Sequence, residues 1–221
     1  MDEAKVWPPT ALRATSGDLE LRYADEATTW ALAELAATDG VHPPDLMPFL
    51  VPWTAGAPED VARSVLRWHW QQRTQMAPES WHLELAAFVG GRLVGSQSAG
   101  ANDYPVTRTA ETGSWLGLSH HGRGIGTRMR LLILHLLFDE LDAQAATTGA
   151  FADNHPSLGV TRKLGYAPNG ETVRVRGGVA TTEKLFRMSR EAWLSRPDEL
   201  RLDVTYEGTE ALRGFLGIAR P

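Results

Sequence analysis

The stretch that most constrains this chain runs from Ser114 to Leu141: an extended segment, a loop carrying Gly122, Gly124 and Gly126, and then an apolar helix entered without a break. Alternating glycines let backbone N–H groups converge on one point with no Cβ in the way. The first turn of a helix leaves N–H donors unpaired, and the helix dipole adds partial positive charge there. Together these make a seat for phosphate, and Arg123 is placed to add a charge-assisted contact. A glycine-rich loop taken alone equally describes a tight turn. The two common nucleotide motifs fail on spacing. A P-loop needs Gly-Lys-Ser/Thr, whereas Gly126 is followed by Thr127 and Arg128; the dinucleotide pattern needs a glycine where Thr127 stands.

Around this segment the pattern predicts early helices, an antiparallel meander, and a strand–helix–strand–helix–strand run. Leu19, Leu21 and Tyr23 alternate with polar residues as in a half-buried strand. Asp25 suits the cap of a helix ending at Gly40, and Pro58 the first turn of a second, to about residue 75. Between them the His42–Thr54 stretch, with Pro43, Pro44, Pro48 and Pro52, reads as an aromatic-rich loop. Residues 81–89 and 92–99 form a hairpin about Gly90-Gly91, and strands follow at 107–118, 144–150, from Tyr166, and at 181–188. Helices are expected over 125–141 and 154–164. The order implies an α/β (α+β) chain: a mixed sheet with helices on its faces. Residues 1–17 read as a loose lead-in and 196–221 as an appendage to a domain spanning 18–195.

Composition narrows the function classes. The net charge of −5, with no long Lys/Arg run, argues against nucleic acid as partner. No apolar run approaches a membrane span, and the first residues lack a signal-peptide pattern, so a cytoplasmic protein is expected. With no cysteine there is no disulfide scaffold and no cysteinyl acyl-enzyme. The seven histidines show no metal spacing, so no metal is expected. His135, inside the apolar helix, reads as a core histidine.

About 30 residues beyond the glycine loop lies Asn154-His-Pro-Ser157, continuing to Thr161-Arg-Lys163-Leu164-Gly165-Tyr166. Here the chain resembles the GNAT superfamily of N-acyltransferases. His121-Gly122-Arg123-Gly124-Ile125-Gly126 is similar to the family's Arg/Gln-x-x-Gly-x-Gly/Ala pyrophosphate motif. The later segment resembles the Asn-x-x-Ser-x-x-x-x-x-Lys-Leu-Gly-Phe pattern of the ribosomal-protein N-terminal acetyltransferase (RimJ/RimL) branch. The run Gly113–Gly170 and the loop from His42 to Trp53 also look like actinobacterial members thought to use acetyl- or succinyl-CoA. The likeness covers roughly residues 18–195.

The resemblance implies a mostly antiparallel seven-stranded sheet with helices on both faces, and acyl transfer from CoA to an amine in a ternary complex. It places the cofactor on Trp115, Leu116, Leu118, His121, Gly122, Arg123, Gly124, Ile125, Gly126, Thr127, Asn154, Ser157 and Lys163. A main-chain N–H near residues 115–118 would serve the thioester oxygen, and Ser157 the departing sulfur. Two slots depart from the family pattern: His121 replaces Arg or Gln, and Thr161 stands where many members carry tyrosine. Glu111 is the implied base, with Asp103 and Glu183 behind it. His42, Phe49 and Trp53 border the expected acceptor pocket. A succinyl donor would need a cation such as Arg108 or Arg174. The acceptor is an amine on a small molecule, a protein N-terminus or a lysine, and the tail is compatible with a homodimer. The rival reading is a GNAT-fold module that binds acyl-CoA without turnover.

Overall fold

The computed structural model describes residues 1–219. Its strands are β1 (Arg13–Ser16), β2 (Leu19–Tyr23), β3 (Ser80–Val89), β4 (Arg92–Asn102), β5 (Thr109–Leu116), β6 (Ala145–Phe151), β7 (Ala167–Arg176), β8 (Val179–Ser189) and β9 (Thr205–Glu207). They form one sheet in the order β7-β8-β6-β5-β4-β3-β2-β1-β9. The helices are α1 (Glu3–Val6), α2 (Glu26–Asp39), α3 (Pro58–Thr74), α4 (Tyr104–Thr107), α5 (Ile125–His135), α6 (His155–Lys163), α7 (Arg190–Leu194) and α8 (Thr209–Phe215). Every strand pairing is antiparallel except β5 with β6, which α5 connects.

Strand alternation sorts the side chains into two cores. On one face Trp81, Leu83 and Leu85 of β3 pack with Met129, Leu132 and Ile133 of α5. On the other, Ala86 and Phe88 pack with Leu32 and Ala36 of α2 and Val61 and Val65 of α3. α5 is apolar on nearly all sides because it is wrapped on nearly all sides. Met129 and residues 131–134 are buried at 5% exposure or less. The expected single helix to residue 141 instead widens at Leu136–Glu140 into a π turn, where the Leu141 N–H donates to the Leu136 carbonyl at 3.0 Å.

The sheet has nine strands, not seven. The two additional strands are β1 and β9, only four and three residues long. Such lengths are too short for alternation to register as a pattern. β1 lies within the segment read as a loose lead-in, and turns into β2 through Gly17 at φ 59°. β9, in the C-terminal segment, pairs with β1. Leu212, Leu216 and Ile218 are buried in the same core as β3 and α5. Both ends are therefore built into the one sheet.

The C-terminal segment docks through a polar knot. Asp139 accepts from Trp193 Nε1 at 3.0 Å and from His135 Nδ1 at 2.8 Å. The Leu202 N–H donates to His135 Nε2 at 3.2 Å, so both ring nitrogens of this buried histidine are engaged. Burial would raise the Asp139 carboxyl, but its two donors outweigh that and hold it below the usual carboxylate range. A depressed folded pKa contributes stability above the unfolded value of about 3.9, and that contribution is lost as pH falls through the folded value. Asp139→Asn should therefore lower the urea midpoint at pH 7. The gap from the parent should close in the acid range below about pH 4, and a gap unchanged down to pH 2 would contradict this assignment.

Candidate active site

β5 and β6 pair only at Thr109↔Ala145, Ala110↔Ala146 and Glu111↔Thr147. Beyond that point they run on to Leu116 and Phe151 unpaired, so the sheet splits. Thr148 Oγ1 donates to the Thr112 carbonyl at 3.0 Å, which shows that Thr112 turns its main-chain groups toward β6. By strand alternation Ser114 and Leu116 do the same. The split thus exposes one edge of β5 as a template for an added extended chain.

Two polar plugs finish the split. Arg130 enters from α5, with Nη1 donating to Thr148 Oγ1 at 2.9 Å and Nη2 to Ser114 Oγ at 3.3 Å, so one guanidinium spans both strands. At the far end His121 Nε2 lies 3.2 Å from the Leu116 carbonyl.

The glycine loop opens directly beyond. Gly122 and Gly124 have φ of 72° and 74°, a left-handed conformation that side chains rarely adopt. Gly124 is the N-cap of α5 and no side chain caps that end. The N–H groups of Ile125, Gly126 and Thr127 therefore point outward without the usual Ser or Asp partner, at the positive end of an 11-residue helix. Arg123 is exposed beside them. The loop is moored to α2, where Asp39 Oδ2 accepts from Ser119 N and Oγ at 3.0 and 2.9 Å and the Leu118 N–H donates to the Gly40 carbonyl at 3.1 Å.

Across the split, Asn154 caps α6 by accepting from the Ser157 N–H at 3.3 Å. The Ser157 carbonyl takes the hydroxyl of the buried Thr161 at 3.0 Å, so Thr161 serves its own helix. Ser157 is half-buried, and its hydroxyl has no hydrogen-bond partner among the described residues. Lys163 is exposed in the last turn.

On the α3 face of the sheet, where the split begins, lies a cleft of about 650 Å³ lined by residues that include His82, Ser98, Gly100, Glu111, Gly113 and Thr147. Glu111 lies at this cleft. His42, Phe49 and Trp53 are not among its walls. They form an aromatic ladder, with centroids 6.0 Å apart for His42–Phe49, 5.0 Å for Phe49–Trp53 and 5.8 Å for Trp53–Trp115. His42 is fastened at both nitrogens, 2.8 Å from the Pro43 carbonyl and 2.7 Å from Thr54 Oγ1. The Trp115 side chain supports this ladder, and only its backbone belongs to β5. Of the other carboxylates considered, Asp103 is exposed at the start of α4. Glu183 lies over Gly149 and is 3.2 Å from Arg174.

His82, Glu84 and Arg130 belong to no motif in the sequence. His82 and Glu84 sit two apart on β3 and so share a face with the cleft, while Trp81, Leu83 and Leu85 take the core face. That alternation was the available signal. Nothing in the sequence distinguished Arg130 from a surface residue of α5, yet it is only 4% exposed. Among the described residues no cluster of His, Asp or Glu is grouped to hold a metal, and no helix is long and apolar enough to cross a membrane.

Residues 18–167 match the family model described as the acetyltransferase (GNAT) domain. Several solved structures share the fold. Mycobacterium smegmatis RimJ, in complex with CoA-disulfide, is 19% identical, with 97% of each chain covered and a TM-score of 0.64. RimL, a ribosomal L7/L12 alpha-N-protein acetyltransferase in complex with coenzyme A, is also 19% identical, with 80% of this chain and 97% of that one covered and a TM-score of 0.64. The microcin C7 self-immunity acetyltransferase MccE, in complex with acetyl-CoA and AMP, is 15% identical over 78% of this chain and 92% of that one, with a TM-score of 0.59. At such identities these likenesses speak to the fold. The family match, by contrast, spans well over half of the sequence and includes the split and the glycine loop: the chain belongs to the GNAT acetyltransferase family.

Proposed function

We propose that this chain is an N-acetyltransferase that moves the acetyl group of acetyl-CoA onto a primary amine by direct attack in a ternary complex. The observation that carries the reading is the uncapped, glycine-built N-terminus of α5 standing at the mouth of the β5–β6 split. The N–H groups of residues 122–127 would hold the pyrophosphate, with Arg123 adding charge. The pantetheine arm would lie along the open edge at Ser114 and Leu116, as an added strand does. An N–H of that edge would donate to the thioester oxygen as it gains charge. The Ser157 hydroxyl, unpaired among the described residues, is free to donate to the departing sulfur. The amine attacks from the cleft, so that the C–N bond forms while the C–S bond breaks and no acyl-enzyme is needed.

Acetyl is the donor proposed. A succinyl carboxylate would want a free cation. Arg174 is paired with Glu183, and Arg108, whose buried Nη1 has no hydrogen-bond partner among the described residues, is not among the walls of the cleft. For the acceptor, the fold neighbours include the L7/L12 alpha-N-protein enzyme and a ribosomal-protein-S5-alanine acetyltransferase from Vibrio fischeri. A protein N-terminus is therefore the first amine to try. The test is incubation with acetyl-CoA and short peptides carrying free N-terminal Ser or Ala, read by mass spectrometry, with succinyl-CoA and N-blocked peptides in parallel. Acetylated free peptides, with at least about tenfold less succinylation, are expected. Failure to acetylate any free amine above the uncatalysed rate would overturn the proposal.

A further inference from the structure

We infer that His82 takes the proton of the attacking amine, held in the required tautomer by the buried Glu84 carboxylate. The inference rests on the N-acetyltransferase reading and adds to it the identity of the base. Once an alkyl ammonium has given its first proton to solvent, the neutral amine must shed a second as its nitrogen becomes an amide, so some group at the cleft has to accept it.

Every neighbour of Glu84 points to one arrangement. Glu84 is 8% exposed on the α3 face of β3. Oε1 accepts from Trp68 Nε1 at 2.5 Å, and Oε2 from Ser96 Oγ at 3.2 Å. His82 Nδ1 lies 3.0 Å from Oε1, close enough for charge to be felt although the pair makes no well-formed hydrogen bond. A bare Nδ1 lone pair 3.0 Å from a carboxylate oxygen would be repelled, so the nitrogen facing Glu84 is the one that carries the proton. The proton of neutral His82 therefore sits on Nδ1, which leaves the Nε2 lone pair free.

The ring is seated by glycine. A Cβ at Gly100 would lie 2.3 Å from His82 Cδ2 and 3.1 Å from Nε2. The edge of the imidazole that bears Nε2 thus rests over bare backbone at the wall of the cleft. Trp68 supports the ring edge-on, with centroids 5.4 Å apart. The other charged and titratable groups around it are His69 and Arg73 of α3, Glu26 of α2 and Glu111 of β5. Burial pushes the His69 imidazole down, and Glu26 is paired with Arg73 at 2.7 Å. Burial would raise the Glu84 carboxyl, but the His82 and Trp68 side chains that face it outweigh that and hold it below the usual carboxylate range. As the C–N bond forms, the amine proton passes to Nε2 and the thiolate leaves with the C–S pair. Glu84 then stabilises the imidazolium. Glu111, exposed at the same cleft, is left to attract the ammonium form.

The experiment compares His82→Gln, Gly100→Ala and Glu84→Gln with the parent in the peptide assay. His82→Gln should lower kcat/KM about 100-fold at pH 7, with acetyl-CoA affinity unchanged. Gly100→Ala, which displaces the ring without removing it, should lower kcat in the same direction. Glu84→Gln should lower kcat more than it raises KM. Long-range proton–nitrogen NMR of neutral His82 in the parent should show the Nδ1–H tautomer, a reading that needs no acceptor. His82→Gln within about threefold of the parent, or an Nε2–H tautomer, would overturn the inference. A parent that binds acetyl-CoA but acetylates no amine would instead sink the reading beneath it.

Discussion

Replacing Gly124 with glutamate is expected to weaken acetyl-CoA binding by at least about 100-fold, or roughly 2.7 kcal/mol, while leaving the chain folded. Gly124 combines φ 74° with the N-cap position of α5, and an added Cβ there meets nothing within 4 Å. No clash opposes the substitution. The left-handed backbone costs a non-glycine residue only about 1–2 kcal/mol. The carboxylate, however, lands where the unpaired N–H groups converge. There it competes for those donors and repels an incoming diphosphate, each effect on the order of 1–2 kcal/mol. Gly124→Ala separates the terms, since it carries the strain without the charge and should keep affinity within about tenfold of the parent. Equal losses in the two variants would place the anion somewhere other than this loop.

Gly95→Ala should cost more in stability than any other single-methyl change near the site. β4 and β5 approach so closely that a Cβ at Gly95 would lie 2.2 Å from the Trp115 carbonyl oxygen and 2.8 Å from Leu116 Cα. Both are backbone atoms in the strand that forms one lip of the split, so neither can rotate away. Relieving the overlap means moving β5, at a cost of about 2–3 kcal/mol. For a chain of this size that lowers Tm by roughly 4–12 °C. Gly159→Ala, in α6 with nothing within 4 Å of the added methyl, is the control and should be neutral or slightly stabilising. A Gly95→Ala protein with unchanged Tm would show that the strands can part there without loss.

Much of this architecture was legible because its signals were local. The strand–glycine–helix unit at residues 114–135 announces itself through backbone freedom and an apolar run, and both are properties of consecutive residues. Asn154 was readable as a cap for the same reason, and its side chain takes that role. What escaped the sequence depended on pairing across distance. β1 and β9 are too short to show a period and exist because each gives the other a hydrogen-bonding partner. His82 and Glu84 looked like ordinary alternating strand positions until Trp68 of α3, Ser96 of β4 and Gly100 were brought around them. Arg130 acquires its meaning from two strands that diverge on either side of it. The loop from His42 to Trp53 shows the opposite case: its aromatic residues were conspicuous in sequence, and in the fold they bind one another and Trp115.

The central claim is that the α5 glycine loop and the β5–β6 split form an acetyl-CoA site. Calorimetric titration of acetyl-CoA into the parent chain, with Gly124→Glu alongside, tests it most directly. One site per chain is expected, with Kd in the micromolar range, about −8 kcal/mol, and no measurable heat from the variant. Absence of binding to the parent at millimolar acetyl-CoA, or equal binding by the two proteins, would contradict it.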